Sequence, residues 1–222
     1  LEVTHRLEAI LAEADVRGRI CEDQDELLDR VEFYQAFAEE QQCLDGSFNF
    51  ESDAARFYYL QQGGNFPDYV PFEKDAFEVT ILCGLPGSGK DYFIKNNLPK
   101  DQPVISLDDL RRSYKKAPTD KKATGRIVQE AKEMARANLR KKQPFTWNAT
   151  NITQTMRQQL IGLFSDYGAS IHLVYIEVPY KKLLQQNRER KYPIPGNVLE
   201  GMIDKLELPS PKEAHRLTYY VN

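Results

Sequence analysis

Cysteine and histidine are both scarce in this sequence, at three each in 222 residues. Cys21, Cys43 and Cys83 are odd in number, far apart, and no two stand in a CxxC spacing. That is the wrong pattern for a disulfide framework or a thiolate zinc site, and it points to a reducing compartment, read as the cytoplasm. No His/Cys cluster offers a transition-metal site. No apolar run approaches the roughly 20 residues that a membrane span needs, and no charged-then-apolar leader opens the chain. The expectation is a protein with no membrane partner. The chain opens on Leu1 within a charged helical pattern, so it reads as a piece of a longer protein.

What is present is an ordinary globular composition, 41% hydrophobic and 28% charged, enough to bury a real core. The formal net charge of −3 conceals an asymmetry. Residues 1–78 carry 6 Lys/Arg against 19 Asp/Glu, a net of −13, and residues 79–222 carry 24 against 14, a net of +10. Such a split suggests two units and a polyanionic partner for the second. On charge alone, solvated helix faces explain it as well.

Apolar residues recur at helical spacing in two early stretches: Leu7, Ile10, Leu11 and Ala14, then Leu27, Leu28, Val31, Tyr34, Phe37 and Ala38. A third helix is predicted from Asp53 to Gln62, stopped by Gly63 and Gly64, and Asn65 to Lys74, with Pro67 and Pro71, reads as a linker. After residue 78 the rhythm changes. Val79–Gly84, Val104–Leu107, Phe145–Trp147 and Ile171–Val178 read as buried strands, and Leu217–Val221 as an edge strand. Helices are predicted near 89–97, 121–142, 153–167, 180–190 and 196–207. Alternating strands and helices imply an α/β fold, a parallel sheet covered on both faces and preceded by an all-helical segment.

Residues 84–91 read GLPGSGKD, between an apolar strand and a helix. This is the G-x-x-x-x-G-K core of a Walker A loop in the setting that loop requires. Gly84, Gly87 and Gly89 allow turns that aim successive N–H groups at phosphate oxygens, and the helix beyond adds its partial positive end. Lys90 would reach the β- and γ-phosphates of a nucleotide. The expected nucleotide-binding set is Gly84, Leu85, Pro86, Gly87, Ser88, Gly89, Lys90, Asp91 and Tyr92. Where Ser or Thr ordinarily offers a hydroxyl to Mg²⁺, the chain has Asp91. Its carboxylate is a hard oxygen ligand that could hold Mg²⁺ directly or through water; alternatively it points elsewhere and serves only the helix N-terminus.

The second strand runs into ISLDDLRRS at 105–113. The carboxyl end of a parallel strand faces the ligand crevice, so Asp108 and Asp109 would arrive beside the loop, where a carboxylate can act as a general base; alternatively, Asp108 or Asp109 is simply a helix N-cap. Arg111 could clamp a phosphate bidentately. Near 185–200, Arg188, Arg190 and Lys191 precede Pro193 and Pro195. Beside a phosphate loop, such a basic segment reads as a lid over the transferring group.

Taken in order, GLPGSGKD at 84–91, DDLR at 108–111, NATN at 148–151 with Arg157 downstream, and NRERKYPIP at 187–195 resemble the polynucleotide 5′-kinase branch of the P-loop phosphotransferases. The resemblance covers about 79–210. It implies a P-loop kinase-like sheet and transfer of the γ-phosphate of ATP, GTP or another NTP, with Mg²⁺, to the 5′-hydroxyl end of RNA or DNA in end repair. It makes Lys90, Asp108 and a lid arginine, Arg188 or Arg190, catalytic. Asp109, Arg111, Thr150, Asn151 and Arg157 are implied to bind the acceptor, and Asp91 the metal. The leading segment, LAEADVRGRICEDQDELLDR at 11–30, resembles the end of a bacterial HD phosphohydrolase domain. Residues 1–64 would then be a helical remnant of an upstream HD-type partner domain, 65–78 a linker, and 79–222 the kinase domain. Asp15 would match the last metal ligand of that HD domain; His5 alone cannot supply the others, so no phosphohydrolase activity is implied. Two rivals share the loop: a small-molecule P-loop kinase, which has no need of a +10 half, and a non-catalytic NTP-binding regulatory module, which has no use for Asp108 with Arg111.

Overall fold

The computed structural model describes residues 3–63, 66–71, 77–114, 121–190 and 192–221, without the side chains of residues 62 and 121–123. Gly64, Lys191 and residues 65 and 72–76 of the expected linker lie outside the described residues. The chain forms two compact units, Leu1–Glu51 and Ser52–Asn222.

The first unit holds α1 (His5–Gly18) and α2 (Gln24–Glu40). Thr4 caps α1 by accepting from the Leu7 N–H at 3.3 Å, and Arg6 clamps Asp45 through two hydrogen bonds of 2.5 and 2.8 Å. The buried apolar side chains are small or medium: Ala9, Val16, Ala38 and Leu44. Leu7, Ile10, Leu11 and Phe37, which the helical spacing marks as the inward stripe, are more than half exposed. No group of three His, Cys, Asp or Glu side chains is placed to hold a metal among the described residues. None of the described helices is long and apolar enough to cross a membrane.

The second unit begins with α3 (Asp53–Gln62), capped by Ser52 and closed by Gly63 in the left-handed region at φ +67°. This corrects the boundary at 64, because α3 packs as part of the second unit. Phe57 stacks on His215 with ring centroids 3.9 Å apart, Arg56 donates to the carbonyls of Pro211 and His215, and Gln61 donates to the Lys212 carbonyl at 2.5 Å.

The sheet has five strands: β1 (Phe77–Cys83), β2 (Val104–Ser106), β3 (Phe145–Asn148), β4 (Ala169–Glu177) and β5 (Arg216–Val221). They pair in the order β2-β3-β1-β4-β5, every pair parallel, with β5 as the expected edge. α4 (Lys90–Asn97), α5 (Leu107–Ser113), α6 (Lys121–Arg140), α7 (Gln154–Ser165), α8 (Tyr180–Glu189) and α9 (Gly196–Ile203) make the crossovers. Alternation along β1 and β4 separates the two faces. Val79, Ile81, Ile171 and Leu173 pack with Ala131, Ala135 and Leu139 of α6 and Leu160, Ile161 and Phe164 of α7. Leu82, Val174 and Ile176 pack with Phe93 of α4. α5 was not foreseen: β2 stops at Ser106, whose hydroxyl accepts from the Asp109 N–H at 3.2 Å and starts a helix on Leu107. The helix expected to reach 207 ends at Ile203, because the Glu207 N–H leaves to bond the Ile152 carbonyl at 2.9 Å.

That pinning converges on Arg157, the largest correction to the expected acceptor set. Its side chain is 0% exposed. Nε and Nη2 donate to the two oxygens of Glu213 at 2.7 and 3.0 Å, and Nη1 reaches the carbonyls of Asn151, Ile152 and Glu207. Glu213 sits on a short 3₁₀ turn, Pro211–Glu213, so the pair ties α7 to the segment leading into β5. Such an arginine has no face left for a ligand; it is a staple.

Two stability measurements test these contacts. Removing one member of a buried ion pair strands the other, so Arg157→Ala should cost about 3–5 kcal/mol in urea unfolding; a loss below about 1 kcal/mol would contradict the staple. Burial pushes the His215 imidazole down to about 4, where its Nδ1 accepts from the Ile171 N–H at 3.1 Å. The unfolded chain therefore binds the extra proton first. Stability from this group is complete above about pH 6.5 and drains away as pH falls toward 4, by up to about 3 kcal/mol. His215→Gln should flatten that part of the pH–stability curve, and an unchanged slope would contradict the assignment.

Candidate nucleotide and phosphate site

The loop between β1 and α4 is shaped by its glycines. Gly84 has φ +152°, and a Cβ there would collide with the Ile176 carbonyl, so no other residue fits between β1 and β4. Gly89 is the N-cap of α4 at φ +96° and offers no capping side chain. The first N–H groups of α4 thus remain available for an anion, at the end where the helix dipole favours one. The Gly84 N–H is held by the Thr150 carbonyl at 2.9 Å, and Ser88 Oγ is buried without a hydrogen-bond partner among the described residues.

Lys90 folds back on this loop. Its Nζ donates to the carbonyls of Gly84 and Leu85, both at 2.9 Å. Burial pushes the ammonium down to about 8, against the opposing pull of Asp108 and Asp91. Neither carboxylate is in hydrogen-bond contact with it among the described residues. Incoming phosphate oxygens would therefore replace two neutral acceptors with charged ones.

A cavity of about 240 Å³ opens beside Lys90. It is smaller than the roughly 300 Å³ and above typical of whole drug-sized ligands, and suits a phosphate chain better than an entire nucleotide. Its walls come from the carboxyl ends of the strands, as in other open parallel sheets: Pro86, Gly87, Gly89, Asp91 and Tyr92 from the loop and α4, Asn148 at the end of β3 with Ala149 and Thr150 after it, and Leu107, Asp108 and Arg111 from α5. Gln186 of α8 and Arg190, just past its end, close the opposite side.

Asp108 is the electrostatic centre of that wall. Oδ1 accepts from Arg111 Nη1 at 2.9 Å, and Oδ2 lies 3.7 Å from Arg190 Nη2. Arg111 Nε and Arg190 Nη1 are buried with no hydrogen-bond partner among the described residues. Two buried guanidinium donors beside one cavity are an unmet demand for an anion. Ser106, not either aspartate, caps α5, which removes the N-cap explanation for Asp108.

The remaining expected residues divide. Arg190 lines the cavity and Arg188 is exposed, so the geometry separates the two lid candidates. Asp109 is exposed and pairs with Arg112 at 2.8 Å, away from the cavity. Thr150 lines the cavity. Asn151 does not: at φ +46° it is buried, donates to the Leu82 carbonyl at 2.7 Å, and anchors the turn under the loop. Asn148 and Gln186 were missed as site residues. The rule that strand carboxyl ends face the ligand would have picked out Asn148; Gln186 carries no such signal.

Two carboxylates, Asp91 and Asp108, line the cavity among the described residues, and Asp91 is the one carried by α4 directly after Lys90. Asp91 Oδ1 accepts from Asn148 Nδ2 at 2.8 Å, and Oδ2 makes no hydrogen bond among the described residues. A single carboxylate fits Mg²⁺, which usually takes one or two carboxylates plus substrate phosphates and water.

The comparisons with known proteins agree with this architecture. The L-seryl-tRNA(Sec) kinase of Methanococcus maripaludis is 26% identical over 143 residues, 61% of this chain and 55% of that protein. A solved structure of the Pnkp1/Rnl/Hen1 RNA repair complex is 22% identical, covers 62% of this chain and 47% of that one, and has a TM-score of 0.53. A putative kinase from Chloroflexus aurantiacus, 11% identical, covers 66% of this chain and 88% of that one with a TM-score of 0.51. The chain spans about half the length of the first two proteins. Residues 79–209, more than half of the chain, match the AAA domain family AAA_33. With that match and a parallel sheet ending on a phosphate loop, the chain belongs to the AAA domain family and has a P-loop kinase fold.

Proposed function

We propose that the Ser52–Asn222 unit is an NTP-dependent kinase that transfers the γ-phosphate to the 5′-hydroxyl end of RNA or DNA. The observation that carries the reading is the single cavity in which Lys90 and the phosphate loop face Asp108, Arg111 and Arg190. A nucleotide-binding switch needs the loop alone. A carboxylate flanked by two arginines with unpartnered buried nitrogens, placed across from it, is equipment for a second, anionic reactant.

The chemistry is a displacement at phosphorus. Asp108 accepts the proton of the attacking 5′-hydroxyl, the new P–O bond forms as the bond to the β-phosphate oxygen breaks, and the nucleoside diphosphate leaves. Lys90, released from the Gly84 and Leu85 carbonyls, meets the charge on the transferring group. Arg190 covers that group from the α8 side, and Arg111 holds the phosphate next to the acceptor end, with Thr150 nearby. Mg²⁺, carried by Asp91, would neutralise the β- and γ-oxygens. Asp109, Asn151 and Arg157 take no part in acceptor binding in this reading.

Two further facts support a nucleic-acid acceptor. Ser52–Asn222 holds 26 Lys/Arg against 19 Asp/Glu, a net of +7, while Leu1–Glu51 holds 4 against 14, a net of −10. The archaeal relative is by name a kinase whose substrate is an aminoacylated RNA. The acidic Leu1–Glu51 unit would be the end of an HD-type domain, with Asp15 now paired to Arg19.

Labelled γ-phosphate should pass to a 5′-hydroxyl oligonucleotide in preference to free nucleosides or sugars, with an acceptor KM that rises with salt. Preference for a sugar, or a salt-independent acceptor KM, would overturn the polynucleotide reading.

Single substitutions test the roles. Lys90→Ala should lower kcat by about 10²–10³. Asp108→Asn should abolish transfer while nucleotide binding persists, because proton acceptance acts on the chemical step. Arg190→Ala should impair kcat, whereas exposed Arg188→Ala should not; the reverse would reassign the lid.

A further inference from the structure

The contact between Asp91 and Asn148 joins two positions whose chemistry P-loop enzymes ordinarily arrange differently. Mg²⁺ in such enzymes is held by a Ser or Thr hydroxyl following the loop lysine and by a carboxylate at the end of a neighbouring strand. Here the residue after Lys90 is the carboxylate, Asp91. Asn148 ends β3, and β3 pairs directly with β1 so that Asn148 stands level with Leu82, two residues before the loop begins. Asn148 is 8% exposed, lines the same cavity, and donates its amide to Asp91 Oδ1 at 2.8 Å. The hydroxyl-plus-carboxylate pair has become a carboxylate-plus-amide pair.

We infer that the metal-binding charge of this site has been exchanged from the strand to the loop, and that Asn148 is the positioning residue that makes the exchange work. The inference rests on the proposed nucleotide site and deepens the role given there to Asp91 by assigning Asn148, which that proposal left without one. A carboxylate on each side of a 2.8 Å contact would repel, so the arrival of Asp91 requires a neutral partner on β3. The partner must also donate, since an ionised carboxylate only accepts. Asparagine meets both conditions. By holding Oδ1, the amide leaves Oδ2 for the cation and fixes the carboxylate's rotation, the outer-contact role that orients metal ligands in general. It is also the reason that the loop tolerates a negative charge beside phosphate: the carboxylate is committed to a metal that the phosphates share.

The test is a double-substitution cycle with two readouts, neither of them turnover. The first is the affinity for Mn²⁺, by electron paramagnetic resonance, in the complex with β,γ-imido-ATP. The second is the melting temperature of the metal-free, nucleotide-free protein. Asp91→Ser leaves no carboxylate on either side and should weaken Mn²⁺ by at least about tenfold; Asn148→Ala leaves Asp91 unoriented and should weaken it by about 10–100-fold. Asn148→Asp sets two carboxylates against each other and should lower the metal-free melting temperature. The double variant, Asp91→Ser with Asn148→Asp, rebuilds the ordinary pair and should recover most of both the Mn²⁺ affinity and the melting temperature, a strongly non-additive result. Additive effects, or an Asn148→Ala variant that binds Mn²⁺ like wild type, would overturn the exchange while leaving the nucleotide site standing. Failure of the wild-type protein to bind Mn²⁺ with β,γ-imido-ATP would overturn the nucleotide site and the exchange together.

Discussion

The site is organised by an ammonium that has no counter-ion in direct contact among the described residues. Lys90 is turned onto two loop carbonyls, at a position where burial lowers its proton affinity to about 8. Neutral carbonyls take two of its three donors without cancelling its charge, so the loop presents a positive site that an anion would complete. Everything around it repeats that logic. The Gly89 cap leaves helix N–H groups open, and Arg111 and Arg190, bonded or paired to Asp108, each keep a buried nitrogen without a partner among the described residues.

Such a site needs rigid walls, and these come from behind. The turn at Thr150 and Asn151 grips the loop through the Gly84 N–H and the Leu82 carbonyl. That turn is itself held by Arg157, whose bidentate pair with Glu213 ties it to the approach to β5. α3 completes the chain of support, with Phe57 on His215 and Arg56 on the carbonyls around it. A buried ion pair is a poor source of net stability but a strict one in geometry. Its place here is one layer behind the phosphate site.

The α/β class, the five strands and the phosphate loop were legible in the sequence because each rests on local pattern: apolar runs, helical spacing, glycines at fixed offsets. What failed was anything set by distant partners. Arg157 follows NATN at a spacing that suits a binding role, and only the position of Glu213, 56 residues on, makes it a staple. Asp109 and Asp108 are adjacent and alike; the Ser106 cap turns one inward to Arg111 and Arg190 and the other outward to Arg112. Leu7, Ile10 and Leu11 have the spacing of an inward stripe, yet the residues that α1 buries are Ala9 and Val16. The third helix reads as continuous with the first two until Phe57 finds His215, 158 positions later.

Asp108 is the hinge of the functional account, since in the free protein it is occupied by the two arginines that the reactants should claim. A crystal structure of the protein with β,γ-imido-ATP, Mg²⁺ and a short 5′-hydroxyl oligonucleotide tests this most directly. The account expects the terminal O5′ within hydrogen-bond distance of Asp108 and in line with the γ-phosphorus, with Arg111 moved onto the adjacent acceptor phosphate and Arg190 onto the γ-phosphate. An acceptor end lodged elsewhere, with Asp108 still paired to both arginines, would contradict it.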